Sequence, residues 1–208
     1  MAIDTNIALI SLADAKEHLK VTGIVEDTVI GNFVNMVSAM CNTYVGRILL
    51  NAPHTEYYNG NGDTNLLLKH TPITLLTNIW NAGEDRVFDD NAKMNKATEL
   101  LVNEQSGIIE IWQGQGRFNK FLNGKANIKV IYTGGYTLAV MPYDIQLAVR
   151  MWLGAIYMKY YNRRYEYISA NTVNNSTTFL ERDMPADVKM ILNNYKDQFG
   201  YPQFAYKE

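Results

Sequence analysis

Apolar side chains at Val29, Ile30, Phe33, Val34, Val37, Met40, Cys41, Tyr44, Val45 and Ile48 recur in steps of three and four. That spacing places them on one face of a helix and predicts a helix over residues 28–49, roughly 33 Å long. Glu26 and Asp27 suit its positive end, and Asn51-Ala52-Pro53 lies beyond its finish. A shorter helix is expected before it. Ser11, with Asp14 three residues on, can satisfy first-turn amides, so the chain coils to about Lys20 and stops at Gly23.

From about residue 54 to 137 the pattern changes to short strands and turns. Residues 55–58 lead into Asn59-Gly60-Asn61-Gly62-Asp63, where Asn-Gly favours a tight hairpin into residues 65–70. Thr71-Pro72 precedes a strand over 75–80. Residues 86–88, 99–103 and 108–112 follow, each bounded by Gly, Asn or Asp. In 127–133, Ile128, Val130 and Tyr132 alternate with Lys129 and Ile131 in the two-residue period of a strand. Six or seven short strands read as an antiparallel sheet or small barrel.

Helical spacing returns after Gly134-Gly135-Tyr136. Pro142 suits a first helical position and Asp144 the first turn. Ile145, Ala148, Val149, Trp152, Leu153, Ile156, Tyr157 and Tyr160 form a broad apolar stripe. A polar loop is expected over 168–178. Met184-Pro185-Ala186-Asp187 opens a last helix marked by Val188, Ile191, Leu192 and Tyr195, running to about residue 198, with Gly200 as its stop. Neither helical part can bury its stripe alone. The expected fold is α+β: a helical bundle built from the N- and C-terminal segments (1–53 and 138–208, including a C-terminal tail), with an antiparallel β domain inserted at 54–137.

Composition narrows the function. The 208 residues are 47% hydrophobic and 19% charged, which excludes disorder. Nineteen Lys+Arg against 21 Asp+Glu give a net charge of −2 and exclude a generally basic nucleic-acid binder. One cysteine, Cys41, forms no internal disulfide, so a reducing compartment is expected. Met1-Ala2-Ile3-Asp4 does not open like a signal peptide, and the apolar run 148–158 is interrupted by Arg150 and too short to span a bilayer. A soluble, intracellularly made protein without a membrane association is expected.

No catalytic constellation stands out. Gly60-Asn61-Gly62 and Gly114-Gln115-Gly116 meet Asn65 and Asn119 where a phosphate-binding loop needs a third glycine, so both read as turns. His18, His54 and His70 are widely separated and there is no cysteine pair, so neither metal nor cofactor is expected. Glu84-Asp85 and Asp89-Asp90 read as solvated turns rather than as a cation site or the paired acids of a hydrolase. Cys41 falls on the apolar stripe and reads as core.

Two aromatic stretches do stand out. Between residues 157 and 167, Tyr157, Tyr160, Tyr161, Tyr165 and Tyr167 interleave with Lys159, Arg163 and Arg164. The plain reading is a buried tyrosine face with cations at a helix C-terminus. The same residues also suit base stacking with phosphate neutralisation, or a protein interface. Phe199, Tyr201, Phe204 and Tyr206 make the C-terminal tail too aromatic for a solvated end, and docking on a partner is the favoured reading.

In layout and in several segments the chain resembles the head–tail connector (adaptor) proteins of long-tailed bacteriophages. The matching pieces are Ile10-Ser11-Leu12-Ala13-Asp14-Ala15-Lys16-Glu17-His18-Leu19, Asp27 at the long helix, Tyr57-Tyr58-Asn59-Gly60, Thr71-Pro72-Ile73, Val130-Ile131-Tyr132-Thr133-Gly134-Gly135-Tyr136, Met141-Pro142-Tyr143-Asp144-Ile145-Gln146, and the closing helix from Pro185 to Tyr195. Order and spacing carry the resemblance, over about residues 8–197. Met141 stands where the family often has a second proline.

The resemblance implies a structural, non-enzymatic role in a virion, at the head–tail interface, for a protein made in the bacterial host cytoplasm. Such adaptors form a ring with copies of themselves, usually of twelve subunits, under the portal protein. They extend the channel through which DNA passes without sequence-specific binding, and they meet the next connector or tail-completion protein. The C-terminal segment of the family commonly reaches toward the portal, which assigns Phe199, Tyr201, Phe204 and Tyr206 to portal docking. Lys159, Tyr161, Arg163, Arg164 and Tyr165 then become subunit or DNA-channel contacts. The alternative is a carbohydrate- or peptide-binding module on the β insert, with Trp80 and Trp112 as stacking rings, although both are expected to fill the sheet core.

Overall fold

A computed structural model of the chain describes residues 3–112, 118–169 and 184–196, with 162–169 as helical backbone alone. Its elements run α1 (Leu12–Leu19), α2 (Asp27–Val45), β1 (Ala52–Gly60), β2 (Asn65–Leu67), β3 (Ile73–Asn81), β4 (Leu100–Asn103), β5 (Ile108–Ile111), β6 (Gly124–Gly134), α3 (Tyr143–Ser169) and α4 (Ala186–Asn193). The class is α+β. The described residues fall into two compact units, one formed by Met1–Gly46 with Leu138–Lys196 and the other by Arg47–Thr137.

In the helical unit, α1 starts with the expected reciprocal cap. Ser11 Oγ accepts from the Asp14 N–H (3.1 Å) and the Asp14 carboxylate accepts from the Ser11 N–H (3.3 Å). The helix does not wait for Gly23. Lys20 turns left-handed (φ 54°), and the Lys20 and Val21 amides fold back onto the carbonyls of Glu17 and Lys16. Gly46, at φ 84°, ends α2 at Val45, four residues before the expected finish, and donates to the Asn42 carbonyl (2.9 Å). Ile48 and Leu49 therefore lie beyond the helix. Pro142 serves as the cap of α3 rather than its first turn, since its carbonyl accepts from the Gln146 N–H (3.1 Å).

Core contacts join helices from both ends of the chain. α2 packs on α3, α1 on both, and α4 on both α2 and α3. Ile30, Val34, Val37, Cys41 and Val45 of α2 are buried, as are Ile145, Ala148, Val149, Trp152, Leu153 and Tyr157 of α3 and Val188 and Leu192 of α4. α4 stops at Asn193, short of residue 198. Ile168 and Ser169, expected in a loop, extend α3; the rest of that loop and Gly200 lie outside the described residues.

In the other unit, two three-stranded antiparallel sheets, in the orders β1-β6-β3 and β2-β5-β4, enclose one apolar core that includes Tyr58, Leu66, Ile79, Ile109, Ile111, Phe121, Ile128, Val130 and Tyr132. The expected hairpin at Asn59-Gly60 is absent: β1 pairs with the distant β6, along a ladder from Ala52↔Gly134 to Gly60↔Gly124. Gly60 is needed there because the Leu122 carbonyl oxygen sits where a side chain would begin, 1.7 Å from an ideal Cβ. Asn59 is likewise committed to β6, its Oδ1 accepting from the Ala126 N–H (2.8 Å). Residues 86–88 form no strand. Arg86 is left-handed (φ 55°) and its N–H closes a turn onto the Gly83 carbonyl (3.1 Å).

Candidate functional site

Strand periodicity turns Glu56 inward beside Tyr58 on β1, and their carboxylate and hydroxyl become the centre of a buried polar cluster. The Tyr132 hydroxyl donates to Glu56 Oε2 (2.6 Å), as does that of Tyr58, and His70 Nε2 lies 3.4 Å from Oε1. Both hydroxyls also accept from backbone: Tyr58 from the Lys69 N–H and Tyr132 from the His70 N–H, each at 3.1 Å. His70 Nδ1 accepts from the Ile48 N–H (3.2 Å), and the His54 ring stacks on His70 at 3.8 Å. Burial pushes the Glu56 carboxyl pKa up, yet the hydrogen bonds from His70, Tyr132 and Tyr58 outweigh it and hold the pKa at about 2. Burial, followed by the neighbouring Glu56 charge, pushes the Tyr132 phenol up and keeps it a donor. This cluster locks β1, β6 and the 68–70 segment together. Two histidines that look unrelated in sequence meet here.

The carboxylate-rich turns are local structures. Asp89 Oδ1 accepts from the Asn91 (2.9 Å) and Ala92 (3.0 Å) amides, and Asp85 Oδ1 faces the Val87 N–H at 3.5 Å. No group of metal-ligating side chains occurs among the described residues. Cys41 is wholly buried, and burial pushes its thiol up to about 12.

Trp80 and Trp112 are not core residues. Trp80 is half-buried on the outer face of the β1-β6-β3 sheet, and Trp112 is half-exposed just after β5, in the other sheet. Register explains Trp80: Tyr57, Lys129 and Trp80 share one row across β1, β6 and β3. The Lys129 ammonium lies 5.4 Å from the Trp80 ring, 5.6 Å from Tyr57 and 5.8 Å from Phe88, and Lys93 approaches Trp80 at 5.8 Å. Trp80 thus spends its π face on the chain's own cations.

The tyrosines of α3 divide. Tyr157 and Tyr161 both donate to the Glu26 carboxylate, Tyr161 at 3.1 Å, and their rings are 5.2 Å apart. Tyr160 meets Phe33 edge-on at 5.4 Å. Lys159 is exposed on α3. Arg163, Arg164 and Tyr165 continue that helix, but their side chains lie outside the described set, as do Phe199, Tyr201, Phe204 and Tyr206 entirely.

A feature missed by reading one stripe is the outer face of α3. Tyr143, Leu147 and Met158 project from it, with Met151 half-buried between them. From 143 to 158 the only charged residues are Asp144 and Arg150, and such near-continuous apolarity was the available signal for a second covered face. Both charges are engaged: Asp144 accepts from the Tyr195 hydroxyl (2.6 Å), and Arg150 pairs with Asp14 (3.4 Å).

Residues 8–198 match the family model described as "HCP: Head completion protein". No curated protein matches the chain in sequence. Among solved structures, "Neck of empty GTA particle computed with C6 symmetry" is similar at 15% identity and a TM-score of 0.54. "Neck of native GTA particle computed with C12 symmetry" and "Virion of native gene transfer agent (GTA) particle" are each similar at 13% and 0.55. In all three the match covers 94% of this chain and 92% of the other. At these identities the likeness is one of fold.

Proposed function

The chain belongs to the head completion protein family, and on that premise we propose that it is a structural adaptor of the virion neck, joining the capsid to the tail as a ring beneath the portal and extending the channel for DNA. The observation that carries this reading is the span of the family match, which runs through both units rather than one. The fold shared with chains of gene transfer agent necks, over nearly the whole length of each, supports it. So does the charge balance: at −2 overall, the chain lacks the excess of cations that would hold DNA by counterion release.

In this reading the helices form a bundle from which the β unit is an excursion, and the role is assembly, not catalysis. Phe199, Tyr201, Phe204 and Tyr206 dock on the portal. Lys159, Tyr161, Arg163, Arg164 and Tyr165 meet a neighbouring subunit or line the channel, with Tyr161 also holding Glu26 of its own chain. The glycan-binding alternative is weakened by the lysines already seated on Trp80.

The test is to mix the purified chain with its portal and record native mass spectra across salt and concentration. The expected result is a complex with a fixed number of adaptor copies per portal. Free chains alone, under every condition, overturn the proposal.

A further inference from the structure

We propose that neighbouring subunits meet head to tail through two different helix faces, the outer face of α3 on one copy seating against the outer face of α2 on the next. The inference rests on the ring reading above and deepens it by naming the surfaces.

The α3 face is the donor of apolar bulk. Tyr143 is 89% exposed, Met158 60% and Leu147 47%, and the segment leading into the helix adds Val140 at 67%. These side chains lie opposite the Ile145, Val149, Trp152 and Leu153 core, which is complete without them. Covering them would remove on the order of 500 Å² of apolar surface from water, more than half of the ~800 Å² that one partner contributes to a standard stable interface. The two charged residues of this stretch already have partners within the subunit, Tyr195 for Asp144 and Asp14 for Arg150.

The α2 face is the receiver. Thr28, Asn32, Met36, Ala39 and Thr43 line the side of α2 opposite Ile30, Val34, Val37 and Cys41, and all five are exposed. No charged residue occurs in α2 after Asp27. Its relief is low, which admits the rings and thioethers of α3 at close approach. Both stripes extend over fifteen residue steps, about 22 Å of helix, so their lengths match. Their textures do not: one is bulky and the other shallow, and neither is complementary to itself. Such a pair makes a heterologous contact, which closes rings instead of isologous dimers.

The experiment uses full-length chains assembled on the purified portal and counted by native mass spectrometry, with circular dichroism melts showing that each variant is folded. Leu147→Glu spoils the α3 face, Ala39→Glu the α2 face, and Ala13→Glu, on the exposed side of α1, is the control. Wild type and the control are expected to give full rings. Each face variant alone is expected to lower the ring fraction more than tenfold. An equimolar mixture of the two retains one intact contact per pair and is expected to stop at heterodimers, which neither variant forms by itself. The interface assignment is overturned if either face variant closes rings as wild type does, or if the mixture yields no pairs. If wild type binds no portal, the adaptor reading fails first, and this assignment with it.

Discussion

Replacing Glu56 by Gln tests the buried cluster, since the substitution keeps the volume and removes the charge. The native carboxyl is held at about 2 against an ordinary value of 4.5, a difference equivalent to about 3 kcal/mol. A lowered carboxyl pKa stabilises the fold in full above the unfolded value and loses that contribution as pH falls through the window from 4.5 toward 2. By pH 3 less than half is left. Glu56→Gln is therefore expected to lower the Tm of the β unit by roughly 10 °C or more at pH 7, taking about 4–8 °C per kcal/mol for a unit of this size. The gap should shrink by more than half at pH 3, because wild type loses stability there and the variant has no such charge to lose. Scanning calorimetry of both proteins at pH 7, 5 and 3 measures this. A gap of equal size at pH 7 and pH 3, or a shift below about 2 °C at pH 7, refutes the reasoning.

Three further outcomes are expected. Asn127→Ala removes a buried side chain that accepts from the Gly60 N–H (2.9 Å) and donates to the carbonyls of Ala82 (2.9 Å) and Leu122 (2.8 Å). Denaturant melts should show a loss of about 2–4 kcal/mol, and a loss below 1 kcal/mol would show that these bonds are replaceable. Gly60→Ala places a methyl group on the Leu122 carbonyl and should destabilise the β unit by at least about 2 kcal/mol, so a melt like that of wild type would mean the strand crossing is looser than described. Cys41 should react with an aromatic disulfide reagent at pH 8 at least about a hundredfold more slowly in the native protein than in denaturant, and equal rates would contradict its burial.

The helices were legible because each carries its evidence locally. A 3.6-residue stripe, a Ser11–Asp14 cap and a glycine or proline near each end sit within a few residues of one another. Their errors were errors of termination: Lys20 adopts the left-handed stop that glycine normally supplies, and Gly46 uses it earlier than the apolar stripe suggests. The strands were located but could not be paired, since β6 takes β1 and β3 as neighbours from far along the chain and nothing local encodes that choice. Asn59-Gly60 misled for a physical reason: glycine serves a close backbone crossing as well as a turn, and the dipeptide alone does not distinguish them. The buried cluster left one readable trace. Glu56 occupies an inward position of an alternating strand, where an acid must find donors, though their identity lies in residues 70 and 132.

The two units answer different demands, and the contrast bears on function. The β unit spends its polar groups inward: Glu56, His70 and Asn127 are buried and bonded, which fixes strand register at the expense of adaptability. The helical unit does the reverse, keeping uncharged and apolar side chains on the outside of α2 and α3 although its core closes without them. Folding gains little from the exposed parts of Tyr143, Leu147 and Met158, and solubility suffers from them. A surface retained against that disadvantage points to an assembly in which it is covered, and the dissimilarity of the α2 and α3 faces favours repeated head-to-tail contact over pairing of like with like.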